Sequence, residues 1–197
     1  GPSDFSALEE AALDLCRGRV LDAGAGTGCH SLVLQDQNLS VCAIDIAPEA
    51  VEIMRRRGVK DARCSDLFCF QEDPFDTILM MMNGIGVVGD LAGLDRFLKD
   101  VHRRLNLDGQ ILLDSYDPNW TDDGDDAITP EPGIHGSRYV GEMRFQLEHR
   151  GTKGPPLAWL FVGSKILAER AGKAGWSSEV IWQEEEGHYL ARLTHSK

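Results

Sequence analysis

The chain has 197 residues, 42% of them apolar, and its 32 acidic against 20 basic residues give a net charge of −12. That length suits a single domain, residues 1–197, burying roughly 70% of its unfolded surface. The charge disfavours nucleic-acid partners, whose binding rests on neutralising phosphates, and the longest basic cluster is only Arg55-Arg56-Arg57. No apolar run reaches the ~18 residues of a spanning helix, and no signal segment is evident, so no membrane partner is expected. The odd set Cys16, Cys29, Cys42, Cys64 and Cys69 shows no C-x-x-C or zinc spacing, which predicts a reduced, cytoplasmic protein. The chain opens Gly1-Pro2-Ser3 rather than on methionine, so native residues upstream are an open expectation.

In chain order, a helix over Ser6–Arg17 is expected before an apolar strand, Val20–Ala23. Glycines follow, then a helix over Cys29–Gln37, a strand Val41–Ile44, a helix Pro48–Arg57 and a short strand at Ala62–Cys64. Strand Thr77–Met82 leads into a glycine-rich loop, Asn83–Asp90. Helix Leu91–Leu105 and strand Gln110–Ser115 come next. Alternating apolar runs and helical patterns imply a parallel sheet covered on both faces. Residues 117–137 read as a long loop. Beyond it, Glu142–His149 alternates as a half-exposed strand does, Gly151–Pro155 reads as its turn and Leu157–Phe161 as the return. Helix Ser164–Ala174, with Gly175 as its C-cap residue, and strands Ser178–Gln183 and Tyr189–Thr194 complete the chain.

The most informative stretch is Val20-Leu21-Asp22-Ala23-Gly24-Ala25-Gly26-Thr27-Gly28. Glycine lets main chain approach a small molecule closely, and the following helix N-terminus favours an anion. Asp45, at the end of the next apolar run, is placed to accept hydrogen bonds from ribose hydroxyls. The dinucleotide spacing G-x-G-x-x-G fails from Gly24, where Cys29 takes the third glycine's place, and nearly fits as Gly26, Gly28 and Ser31. D-x-G-x-G-x-G fits throughout, from Asp22 to Gly28. Asp66 follows the third strand, and Leu105–Leu113 carries a glycine turn into the fifth.

These motifs, over roughly residues 15 to 116, resemble those of the class I S-adenosylmethionine-dependent methyltransferases. The resemblance implies an α/β, Rossmann-like, doubly wound, mostly parallel sheet of seven strands in the order 3-2-1-4-5-7-6, the last strand antiparallel. An extra hairpin would be inserted after strand five, the region 117–161 lying over the mouth of the site. S-adenosylmethionine is the expected cofactor and S-adenosylhomocysteine its product. Asp22, Gly24, Ala25, Gly26 and Gly28 would cradle its methionine part, Asp45 the ribose and Asp66 the adenine amino group. Ile46 and Leu67 would supply apolar faces, and Asn83 would orient cofactor or acceptor. Asn83-Gly84-Ile85-Gly86 lacks the Asn/Asp-Pro-Pro-aromatic sequence of enzymes that methylate planar amino groups. With the acidic charge, this points to a small-molecule acceptor.

The acceptor side is less specified. His30, Tyr116 and Arg144 are candidates by position, with Trp120, His135 and Arg138 nearby, and no residue stands out as a general base. His149 reads as a strand residue and Met80-Met81-Met82 as buried strand. The run Asp114, Asp117, Asp122, Asp123, Asp125, Asp126 fails as an EF-hand, because Asp122 falls where glycine is required and Ile128 where the bidentate glutamate belongs, so no metal is expected. Three other readings stay open: a non-catalytic cofactor-binding module acting with a partner, a nicotinamide-dependent oxidoreductase, and an aminopropyltransferase, whose usual extra glycine is Ala25 here. Oligomeric state is not specified.

Overall fold

The computed structural model describes residues 5–119, 139–184 and 186–196. Trp120, His135, Arg138 and Asp122 to Asp126 therefore lie outside the described residues. Helix α1 (Ala7–Leu15) opens on a capping box: the Ser6 hydroxyl accepts from the Glu9 amide, and the Glu9 carboxylate accepts from the Ser6 amide. Strand β1 (Arg19–Ala23) runs through the glycine turn into α2 (Cys29–Asp36), followed by β2 (Ser40–Asp45), α3 (Pro48–Arg57) and β3 (Ala62–Cys64). Helix α3 starts with proline in its first turn and stops at Gly58, whose φ of 99° is the left-handed ending that glycine adopts without strain.

Strand β4 (Phe75–Met80) ends two residues before the sequence pattern predicts, because Met82 and Asn83 both turn left-handed, at φ 61° and 54°. A 3-10 turn over Gly84–Val88 follows, then α4 (Leu91–Asp100) and β5 (Leu105–Tyr116). Leu105, expected at a helix end, instead opens β5 and pairs with Phe75. Hairpin β6 (Glu142–His149) and β7 (Thr152–Leu160) forms a separate two-stranded sheet. Its turn is tighter than expected and sits at Arg150-Gly151, both left-handed, with φ 50° and 79°. Gly154 and Pro155, expected in the turn Gly151–Pro155, lie within β7 together with Pro156. A two-stranded ribbon always offers an unpaired edge, which tolerates the missing proline donors. Helix α5 (Ser164–Lys173) and the antiparallel pair β8 (Trp176–Gln183) and β9 (His188–His195) close the chain.

The main sheet has seven strands in the order β3-β2-β1-β4-β5-β9-β8, parallel from β3 to β5, with β9 antiparallel to both its neighbours. This is the Rossmann-like arrangement expected from the sequence. Its central strands β1, β2, β4 and the second half of β5 are buried on both faces, whereas the edge strand β8 is mostly exposed. One apolar layer contains Leu21, Ile44, Ile78, Leu94, Phe97 and Trp176, and the other packs Leu8, Leu13, Leu34 and Leu79 beneath α1 and α2. Cys42 lies inside β2, where burial pushes its thiol up to about 12. All five cysteines are free. Among the described residues no helix is long and apolar enough to cross a membrane.

Candidate functional site

In a sheet of this order the chain leaves β1 and β4 in opposite directions, which opens a crevice at their carboxyl ends. A cleft of about 620 Å³ lies there. Asp22, Gly24, Ala25, Gly26, His30, Asp45, Ile46, Asp66 and Leu67, all singled out from the sequence, line it.

The glycine turn is tied down mostly by its own amides. Gly24 and Ala25 both donate to the Ile44 carbonyl (2.9 and 3.0 Å), Gly28 donates to Ala25 (2.8 Å) and Gly26 to Asp45 Oδ2 (2.9 Å). The free donor face is therefore the first turn of α2, from Cys29, whose N-cap Gly28 supplies no side chain. Gly28 is left-handed at φ 79°, and a Cβ there would come within 2.7 Å of Val59 Cγ2. It is thus a packing glycine and does not line the cleft. Gly26, at φ 54°, would carry a Cβ with nothing within 4 Å, so its bare main chain borders open space.

Each acid has a local anchor. Asp22 is buried behind the turn and accepts from Ser31 Oγ at 2.5 Å; burial raises its pKa, against the opposing effects of His30 and Ser31. Asp45 Oδ1 accepts from the Ala47 amide at 2.8 Å, so this carboxylate braces both the glycine turn and the residue that precedes α3. Asp66 Oδ1 accepts from the Phe68 amide at 2.7 Å. The carbonyls of Leu67 and Phe68 in that turn are held by the buried guanidinium of Arg104, which sequence reading had passed over.

Ile46 and Met82 are 71% and 77% exposed, yet both face the cleft. Large apolar side chains bared inside a concavity mark a surface that a ligand covers. Met82 is presented by its left-handed backbone, a conformation uncommon for methionine and typical of functional turns. Met80 is buried within β4 and Met81 is buried just past its end while bordering the cleft, so of the three methionines only Met82 is exposed.

Asn83 departs from expectation. It is buried and absent from the lining, and its side chain is committed to the protein: Nδ2 donates to the Leu160 carbonyl (3.2 Å) and Oδ1 accepts from Ser115 Oγ (2.7 Å). Its amide donates to the Asp114 carboxylate at 2.9 Å. Asn83 thus fastens the ends of β4, β5 and β7 together. Tyr116 and Arg144 are not in the lining either. Tyr116 stacks on His188 at 4.1 Å, and His188 Nε2 lies 2.7 Å from Asp114 Oδ2; Arg144 is exposed on β6 opposite Ala158. His30 alone of that trio faces the cleft. The wall that sequence reading missed is Leu157, Ala158 and Trp159 of β7. The Trp159 indole lies directly over Gly86, where a Cβ would approach Nε1 to 2.0 Å. No local signal marks this contact, because it joins residues far apart in the chain.

The glycine turn, three acids at successive strand ends and a strand order reversing at the cleft also describe known proteins. A family model described as "Methyltransferase domain" matches residues 20–109. The chain is 39% identical to a SAM-dependent methyltransferase from Bacteroides fragilis solved with S-adenosyl-L-homocysteine. That alignment covers 98% of this chain and 79% of the other, with a TM-score of 0.85. It is 38% identical over 71 residues to a ubiquinone biosynthesis O-methyltransferase of Xylella fastidiosa, covering 32% of this chain and 29% of that one. It is 32% identical over 101 residues to a demethylmenaquinone methyltransferase of Clavibacter sepedonicus, covering 48% and 40%. The chain thus matches less than half the length of these curated relatives, whereas the Bacteroides structure is matched almost throughout the present chain. From that match and the topology, the chain belongs to the class I S-adenosylmethionine-dependent methyltransferases.

Proposed function

We propose that this protein transfers the methyl group of S-adenosylmethionine to a small-molecule acceptor. The observation that carries the reading is the convergence of the glycine turn, Asp45, Asp66 and the bared side chains Ile46 and Met82 on one cleft. The residues fit the cofactor. Gly26 leaves room for close approach, and the open turn of α2 supplies donors for the methionine carboxylate. Asp45 keeps lone pairs on both oxygens for ribose hydroxyls after accepting its two amides. Asp66 receives the adenine amino group, between Ile46 and Leu67. When bound, the cofactor supplies an already electrophilic methyl on its sulfonium. The chain's own task is to hold an acceptor in line, exclude water and take up a proton where the acceptor carries one.

Met81, Met82, Val87, Leu157 and Trp159 add apolar side chains to the lining and favour an acceptor with an apolar body. The Xylella and Clavibacter relatives are named for quinone pathways, which agrees with such an acceptor. Calorimetric titration with S-adenosylhomocysteine and with NAD(P) tests the cofactor; nicotinamide binding without S-adenosylhomocysteine binding overturns the reading. A labelled-methyl assay over fractionated metabolites then separates an enzyme from a binding module.

A further inference from the structure

The capping box that starts α1 does more than begin a helix. Glu9 Oε2 accepts from the Ser6 amide and hydroxyl (2.9 and 3.1 Å), which leaves Oε1 directed at His30 Nε2, 2.8 Å away. Phe5 stacks on the same imidazole with centroids 5.2 Å apart. Burial acts to raise the Glu9 pKa, but the hydrogen bonds from Ser6 and His30 outweigh it and hold the carboxyl below its ordinary range. An ionised Glu9 accepts only, so Nε2 carries a proton, and in the neutral imidazole the lone pair falls on Nδ1.

His30 lines the cleft, and Nδ1 has no partner among the described residues. It is not sealed in either: the buried side-chain nitrogen or oxygen atom lacking a partner among those residues is Arg104 Nε. Nδ1 therefore keeps some accessible surface, on a residue that lines the cleft. Position also favours the reacting end. Met81, just beyond β4, packs in one apolar cluster with Leu8 of α1 and Leu34 of α2, and Phe5 lies against that cluster. Ile46, Asp66 and Leu67 lie past the other strand ends, on the adenine side. The other titratable groups in the lining are otherwise engaged. Asp22 accepts from Ser31, Asp45 from two amides and Asp66 from Phe68; Cys29 is held by Arg57, and Arg96 is a cation.

We propose that His30 is the proton acceptor of the transfer, held in its working tautomer by Glu9, and that the methyl acceptor attacks through an atom bearing both a lone pair and a proton: a hydroxyl, thiol or neutral amine. This rests on the methyl-transfer reading above. The acceptor's lone pair forms the bond to the methyl carbon, and the carbon–sulfur bond breaks with its electron pair left on sulfur. The acceptor's proton passes to Nδ1, giving an imidazolium paired with Glu9, and then to water. His30 is the catalytic residue and Glu9 a positioning residue.

Nitrogen NMR of histidine-labelled protein, saturated with S-adenosylhomocysteine, reads the tautomer directly. The wild type shows His30 protonated on Nε2 and bare on Nδ1. Glu9→Ala loses that preference, whereas Ser6→Ala, which disrupts the same helix cap, keeps it. A proton on Nδ1 in the wild type overturns the proposal. In a labelled-methyl assay on a low-molecular-weight metabolite extract, His30→Ala loses at least ~100-fold in rate, keeps S-adenosylhomocysteine affinity within roughly threefold and recovers in part with added imidazole. Retention of most of the wild-type rate in His30→Ala also overturns it. If the wild type transfers no label, the methyl-transfer reading fails instead, and His30 is judged on its tautomer.

Discussion

On the proposed reading, Asp45 joins cofactor binding to folding, and Asp45→Asn separates the two. Both oxygens of the carboxylate serve the fold, Oδ2 accepting from Gly26 at 2.9 Å and Oδ1 from Ala47 at 2.8 Å. Asparagine keeps one acceptor and turns a donor toward the other amide, so one of these bonds becomes a clash of donors. Losing one such hydrogen bond within the protein costs about 1 kcal/mol. At roughly 2–4 °C per kcal/mol for a chain of this size, the apo protein should melt a few degrees lower. The binding loss is larger, because ribose hydroxyls donate to a charged group. Hydrogen bonds to charged groups contribute about 1.5–3 kcal/mol, or roughly 10- to 150-fold in Kd. Calorimetry with S-adenosylhomocysteine on both proteins, below the melting range of each, measures the binding change, and thermal unfolding of the apo forms measures the other. A lowered melting temperature with an S-adenosylhomocysteine Kd within roughly twofold of wild type would refute the ribose assignment and leave Asp45 as a strut of the glycine turn.

Two glycines in one turn should fail in different ways. Gly28→Ala places a Cβ against Val59 and Met54 in a left-handed residue, costing about 2–5 kcal/mol of stability in denaturant unfolding. Gly26→Ala meets no protein atom within 4 Å and costs about 1–2 kcal/mol, but weakens S-adenosylhomocysteine by at least ~10-fold because its methyl enters the cofactor's space. Equal effects of the two on stability would contradict the packing described. Gly86→Ala drives the Trp159 indole off its seat, so the tryptophan emission should shift to the red, and the shift should vanish in a Trp159→Phe background. The His188–Asp114 pair gives a pH test. Burial pulls the imidazole's pKa down, but the Asp114 hydrogen bond and charge, with Glu184, more than offset it, and the net shift is upward. The pair's stabilisation is then fully present below the unfolded histidine pKa of about 6.5 and fades as pH rises through the higher folded value. The melting-temperature gap between wild type and His188→Gln should accordingly narrow from pH 6 to pH 9, roughly the span of that titration. A gap that widens with pH would reverse the assigned sign.

The two halves of the site differ in how far the sequence reveals them, and the reason is chain distance. The glycine turn, Asp45 and Asp66 each follow an apolar strand directly, so a strand and the residues after it are enough to place them at the crevice. Asn83 stands at an equivalent position and was misjudged. Its orientation depends on Asp114, Ser115 and Leu160, partners that local pattern does not name. The hairpin turn was misplaced because Gly154-Pro155 has turn composition, whereas Arg150-Gly151 has the backbone that a two-residue turn requires. Trp159 reaches the cleft only because β7 returns across the 3-10 turn after β4, and Glu9 meets His30 only once α1 packs beside α2. Cofactor contacts therefore come from strand ends that any sheet of this order must produce. On the proposed reading, acceptor contacts come from the N-terminal helix and the hairpin, which the sheet does not require. Exchanging the hairpin between family members should alter which acceptor is used and leave S-adenosylhomocysteine affinity largely intact, because the proposed ribose and adenine residues lie at or just past the ends of β2 and β3, outside the exchanged segment.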